Sequence, residues 1–205
     1  MPTAPPRWSG WDVAPHGTGV AVMNAAYLES LRTFFVRRMR RVAGELRVDP
    51  MPETYGDVAA RGNVPGGLAI VEDGYHDPKR AQNIRTTLSL ATERGGVMYA
   101  CQAAGAATEL VQPATWRSRI GISTNMGREA QKEQAARMAL WLATEPAMRT
   151  ASKRWGSVYL PQLRPKPMKY VPHSMCRKDG VTIDEIEAAL MLLSVGIAKE
   201  WIIGG

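Results

Sequence analysis

Cysteine is nearly absent from this chain: Cys101 and Cys176 are the only two among 205 residues. No CxxC pair and no Cys/His spacing is present, which argues against structural zinc and against a disulfide framework. Cys101 lies in an apolar helical pattern, VMYACQAA, and reads as a buried small hydrophobe. A reducing cytoplasm is the expected compartment. Histidine is almost as scarce, and His16, His76 and His173 each fall in a turn or loop. No serine–histidine or cysteine–histidine arrangement for nucleophilic catalysis can be built from them. No apolar run approaches the roughly 18–20 residues of a membrane span. The opening MPTAPPRWSGW has no apolar core of a signal peptide. Neither a lipidation signal nor a basic amphipathic helix points to a membrane partner.

Acidic residues are in deficit. Nineteen Asp and Glu face 26 Lys and Arg, a net charge of +7. An excess of this size implies an anionic partner, and nucleic acid is the commonest. Hydrophobic residues make up 45%, enough to bury a core. The expected organisation is a single domain over 1–205, with a basic irregular insertion at about 147–181. Between 147 and 178 there are eight Lys and Arg and no Asp or Glu. That segment either meets nucleic acid, with Trp155, Tyr159 and Tyr170 among its charges, or is a solvated loop.

The remaining pattern is that of an α/β protein. WSGWDV (8–13) and GVAVM (19–23) form a hairpin around Pro15 and Gly17. SLRTFFVRRMRRV (30–42) fits a third strand or a helix. Alternation places Arg38 and Arg40 on one strand face and Arg37 and Arg41 on the other, so the stretch reaches beyond the sheet. Residues 44–66 read as a loop or short helix. GGLAIVE (66–72) is short, apolar and β-branched, a buried strand. A helix is expected from Pro78 to 104, with Ile84, Leu88, Ala91, Gly95, Met98 and Cys101 on one packed face. TELVQ (108–112) is the next strand, closed by Pro113. Residues 127–143 form an amphipathic helix stopped by Pro146. Thr182 to Trp201 is the last helix, opened by a Thr182-x-x-Glu185 capping box. The implied fold is a mixed five-stranded sheet flanked by helices.

Four carboxylates stand at strand ends or helix starts: Asp12, Glu72, Asp184 and Glu187. Such positions can converge at the carboxyl edge of a mixed sheet. Oxygen-only clusters suit Mg²⁺ or Mn²⁺, and beside a basic surface they point to a metal-dependent nuclease. Each also has a simpler reading. Asp12 also reads as a turn residue before Pro15, and Glu72 as a solvated strand end. Asp184 suits the positive end of a helix. Glu187 shares a face with Asp184 and precedes an apolar run, which is harder to explain without a ligand.

In this order the segments resemble the RuvC-type Holliday junction resolvases of the RNase H-like superfamily. WDVAPHGTGVAVM (11–23) looks like the family's first hairpin and GLAIVEDGY (67–75) like its second acidic strand. RTTLSLATERGGVMYACQAAG, ELVQPATWRSRIG, GREAQKEQAARM and DEIEAALMLLSVGIAKEW are similar to the segments that follow. The resemblance covers most of the chain outside 44–66 and 147–181. It implies an RNase H-like fold and a homodimer. It also implies two Mg²⁺ ions, replaceable by Mn²⁺, held by Asp12, Glu72, Asp184 and Glu187. The implied reaction is symmetric nicking of a four-way DNA junction. Lys132 would assist at the phosphate, Tyr75 would meet unpaired bases, and Arg117, Arg128 and Lys132 would meet DNA. Trp116 is either a further stacking group or a packed core tryptophan. Glu187 stands where the family has Asp, and two extra residues follow Asp12 before Pro15. A nuclease of flaps, forks or hybrids, or a non-catalytic branched-DNA binder, shares most of these features.

Overall fold

The computed structural model describes residues 7–14, 18–24, 27–34, 38–42, 45–49, 55–62, 65–74, 84–145 and 158–201. Its centre is a five-stranded mixed sheet of order β3-β2-β1-β6-β7. β1 (Trp8–Asp12), β2 (Thr18–Asn24) and β3 (Tyr27–Phe34) form an antiparallel meander. β6 (Leu68–Glu72) runs parallel to β1, and β7 (Ala107–Val111) runs parallel to β6. The stretch read as one strand or a helix over 30–42 is two strands. β3 closes the sheet edge, and β4 (Arg38–Val42) leaves it to pair with β5 (Glu45–Asp49) in a separate ribbon. ELRVD alternates charge with two apolar residues, too weak a pattern to separate β5 from loop. The short helix expected in 44–66 is α1 (Tyr55–Gly62).

Alternation along β1 and β6 divides the core into two faces. Trp8 and Ile70 face a core built with α3 (Pro113–Arg119), α4 (Arg128–Leu142) and α5 (Ile183–Ala198). Trp11, Ala69 and Val71 face the other side, against α1 and α2 (Ile84–Ala103). The expected start of α2 at Pro78 lies outside the described residues. Its packed face agrees with expectation at Met98 and Cys101 and differs from it elsewhere. Val97, Ala100 and Cys101 are buried, whereas Leu88, Ala91 and Gly95 are exposed. Small and apolar residues surround this helix almost completely, so their spacing alone does not select a face. Pro113 closes β7 and also begins α3, at the first-turn position where its missing N–H costs nothing.

α5 is the central helix. Ile186 through Gly196 are all buried beneath the sheet. Thr182 caps it reciprocally: the Thr182 hydroxyl accepts from the Glu185 N–H at 3.3 Å, and Glu185 accepts from the Thr182 N–H at 2.7 Å. Two glycines let it approach. A Cβ on Gly10 would lie 2.5 Å from the Ala188 carbonyl oxygen, and one on Gly19 would lie 2.0 Å from that of Asp184. A glycine inside a strand often marks such a backbone approach.

Candidate metal centre

Gly19 is the register partner of Asp12. The first turn of α5 rests on Gly19, so Asp184 is carried to the end of β1. One turn further, Glu187 falls on the same helix face. Asp12, Asp184 and Glu187 each present an oxygen within 4.8 Å of the other two. Asp12 and Glu187 are buried and Asp184 is half-buried.

Three carboxylates in so small a volume raise one another's proton affinity. Burial first, and then the charges of Glu72, Glu187 and Asp184, push Asp12 well above the usual aspartate range. Asp184 is raised by its own burial and by Glu187, while Lys132 and Arg128 pull it back. These two cations of α4 therefore face the same cluster. A hard divalent cation offers the complementary charge, and this all-oxygen set is the donor chemistry that such ions take. The centre is thus compatible with a divalent metal.

Glu72 is held differently. β1 and β6 run parallel, so it ends at the same edge as Asp12. Its carboxylate is not among the three that converge within 4.8 Å. It accepts the Trp116 indole N–H at 2.9 Å and lies 3.5 Å from the Arg117 guanidinium. Burial raises its pKa against the pull of Arg117. A hydrogen bond shared with Asp12 raises the pKa of Asp12 and lowers that of Glu72. Glu72 therefore borders the triad rather than completing it.

Trp116 and Arg117, both on α3, turn toward this cluster. Trp116 is fully buried. With its N–H on Glu72 it has no face for an unpaired base, and the packed-core alternative applies. Arg117 is directed inward, 2.7 Å from Glu187 and stacked over Trp116 at 4.7 Å. Glu187 and Glu72 raise its pKa more than burial lowers it. Its Nε is buried without a hydrogen-bond partner. Arg128 is exposed and Lys132 half-buried on α4, where both remain available to an anion. Tyr75 lies outside the described residues, as do Pro15, His16 and Gly17.

Asp73, which follows Glu72, supports the site. It pairs with Arg94 of α2 and accepts from Gln112 at 2.5 Å, and its N–H donates to the Val111 carbonyl at 2.8 Å. These bonds tie the ends of β6 and β7 to α2. The sequence offered no sign of them, because an Asp-Gly after a strand reads equally well as a free turn.

The fold and centre together define a five-stranded mixed sheet flanked by helices, with an acid cluster at its carboxyl edge. The chain matches no protein-family model and no curated protein. Among solved structures it is similar to Thermus thermophilus RuvC in complex with a Holliday junction substrate. Identity there is 12%, the TM-score is 0.47, and 94% of this chain and 96% of that chain are covered. It is also similar to a second Thermus thermophilus RuvC structure, at 14% identity and a TM-score of 0.44, with the same coverage. A likeness of this strength carries no argument about activity, which rests on the residues of this chain.

Proposed function

We propose that this protein is a metal-dependent endonuclease that resolves four-way DNA junctions by paired symmetric nicks. The observation that carries the reading is the convergence of Asp12, Asp184 and Glu187 beside Arg128 and Lys132. Buried acids beside exposed cations suit a phosphodiester: the cations draw in the phosphate and the acids hold its counter-ions. Asp12, Asp184 and Glu187 would hold Mg²⁺ or Mn²⁺, with Glu72 at the border of a second position. Such ions lower the pKa of an attacking water and stabilise the departing 3′ oxygen. Lys132 would neutralise charge on the phosphate, and Arg128 would bind its neighbour on the strand. Trp116 would fix the orientation of Glu72, and Tyr75 would meet unpaired bases.

Paired nicks need two centres, and a two-fold dimer matches the symmetry of the junction. The exposed side of α2 supports this part of the reading. Leu88, Ala91, Thr92, Gly95 and Tyr99 form an uncharged stripe, with Leu88 62% and Tyr99 75% exposed. Thr92 turns its hydroxyl back to the Leu88 carbonyl at 2.9 Å, and nothing stands within 4 Å of a Cβ on Gly95.

A second reading, a branched-DNA-binding protein without cleavage, is favoured by Arg117. Its guanidinium already neutralises Glu187. Cleavage of a labelled four-way junction, a linear duplex and a flap in Mg²⁺ or EDTA separates the two. Paired junction nicks, lost in EDTA, in Asp12→Asn and in Glu187→Gln, are the expected result. Cleavage of the flap alone keeps the metal centre and changes the substrate. Tight junction binding without cleavage in Mg²⁺ or Mn²⁺ favours the second reading.

A further inference from the structure

Of the basic irregular stretch expected at about 147–181, residues 158–181 are described, and they form a closed loop. Pro165 bridges to Val181, through the Lys166 N–H on the Val181 carbonyl at 2.8 Å and the Val181 N–H on the Arg164 carbonyl at 2.9 Å. Gly180 makes the closure possible, since a Cβ there would lie 2.3 Å from the Arg164 carbonyl oxygen. Met168 bridges back to Val171 within the loop. Leu160, Leu163 and Val171 are buried on its underside. Its Leu160 N–H donates to the Leu142 carbonyl at the end of α4, at 2.9 Å.

The exposed charges of the loop are predominantly of one sign. Arg164, Lys166, Lys169, Arg177 and Lys178 are all exposed, and Asp179 is the only acid in the segment. Among the described residues, Arg164, Lys166 and Lys178 have no acidic partner. Arg177 meets Asp179 only at 3.8 Å, with both side chains mostly exposed. Surface pairs of that kind contribute little and exchange readily. Five like charges anchored on a compact apolar base repel one another, and a polyanion relieves that repulsion.

The loop is also joined to the acid cluster at two points. It ends at Val181, next to the Thr182 cap and three residues before Asp184. Lys169 reaches Glu129 in the first turn of α4, at 3.3 Å, beside Arg128. The loop is therefore fixed to the start of α4, which carries Arg128 and Lys132 toward the metal centre. A duplex, with one phosphate charge per ~1.7 Å of helix axis, suits basic charge spread over linked elements of this kind. An acidic protein patch would not call for a link to the centre.

We propose that residues 158–181 hold the phosphate backbone of a duplex arm flanking the cleaved phosphate. This rests on the nuclease reading. The test is binding of a labelled four-way junction in EDTA across a salt series, for the full chain and a Lys166→Gln/Arg177→Gln/Lys178→Gln variant. Loss of three phosphate contacts lowers the slope of log K against log salt by about 2.7. The expected variant binds more weakly at low salt and approaches the parent at high salt. A Lys166→Arg/Arg177→Lys/Lys178→Arg variant is expected to restore the slope. An unchanged slope in the glutamine variant overturns the proposal and leaves the nuclease reading intact. Equal loss in both triple variants at every salt concentration also overturns it, since the segment then acts only through the fold. Failure of the parent chain to bind any DNA overturns both.

Discussion

Asp12 and Glu72 end neighbouring parallel strands at the same sheet edge, on the face toward α5, yet they occupy different environments. Asp12 is surrounded chiefly by carboxylates, and Arg117 acts on it less than on Glu187 and Glu72. Asp12 shares a hydrogen bond with Glu72, and it converges with Asp184 and Glu187. Glu72, one methylene longer, is taken up by the Trp116 indole and the Arg117 guanidinium. Strand position decides where a carboxylate stands, but the neighbouring side chains decide what it can still bind. α3 is the element that separates the two, because it supplies the indole and the guanidinium that hold Glu72.

The sharpest way to break this comparison is to neutralise each acid in turn. Asp12→Asn is expected to lower junction cleavage on the order of 10²–10³-fold, the scale of losing an electrostatic group at the reacting centre. Glu72→Gln is expected to cost about 10–100-fold, the range of groups that orient ligands. Single-turnover rates measure both, and equal losses would erase the distinction. Trp116→Phe keeps the ring in the core but removes the donor to Glu72. The expectation is a loss of about 1–3 kcal/mol in urea unfolding, as for a buried acceptor left unsatisfied. Asp12→Asn leaves that bond untouched.

The smallest effect is in pH. The folded pKa of Asp12 is raised above its unfolded value. Its contribution to stability is therefore fully present below the unfolded pKa and is lost as pH rises through the folded one. In EDTA, the melting temperature of the parent chain minus that of Asp12→Asn is expected to fall as pH rises through that window. Mg²⁺ is expected to flatten the difference by supplying the missing charge. A difference that stays level in EDTA would mean that the cluster carries no strain.

Much of the centre could be read from the linear chain because it is local. Asp12 after a tryptophan strand, the Thr182–Glu185 box and the buried run after Glu187 each carry their signal within a few residues. The parts that were misread depend on distant partners. Nothing near Trp116 indicates that its N–H meets Glu72, 44 residues earlier, so stacking on DNA and packing in the core could not be separated. The pairing of Arg117 with Glu187, 70 residues later, is hidden for the same reason. The face of α2 was misassigned in part because alanines and glycines fill both sides. β5 went unseen because charge outweighs apolar residues in ELRVD. The Pro113 signal was used only as a strand stop, although the same proline opens α3.

Gly19 has no charge, no donor beyond its backbone and no part in the chemistry, yet the centre is assembled across its missing side chain. Any other residue would lift Asp184 away from Asp12. Neutral drift can therefore exchange surface residues freely, and can even trade Asp for Glu among the ligands, while this hydrogen atom stays fixed. In descendants of this chain, the durable mark is expected to be an acid at the end of β1 with a glycine paired across from it in β2.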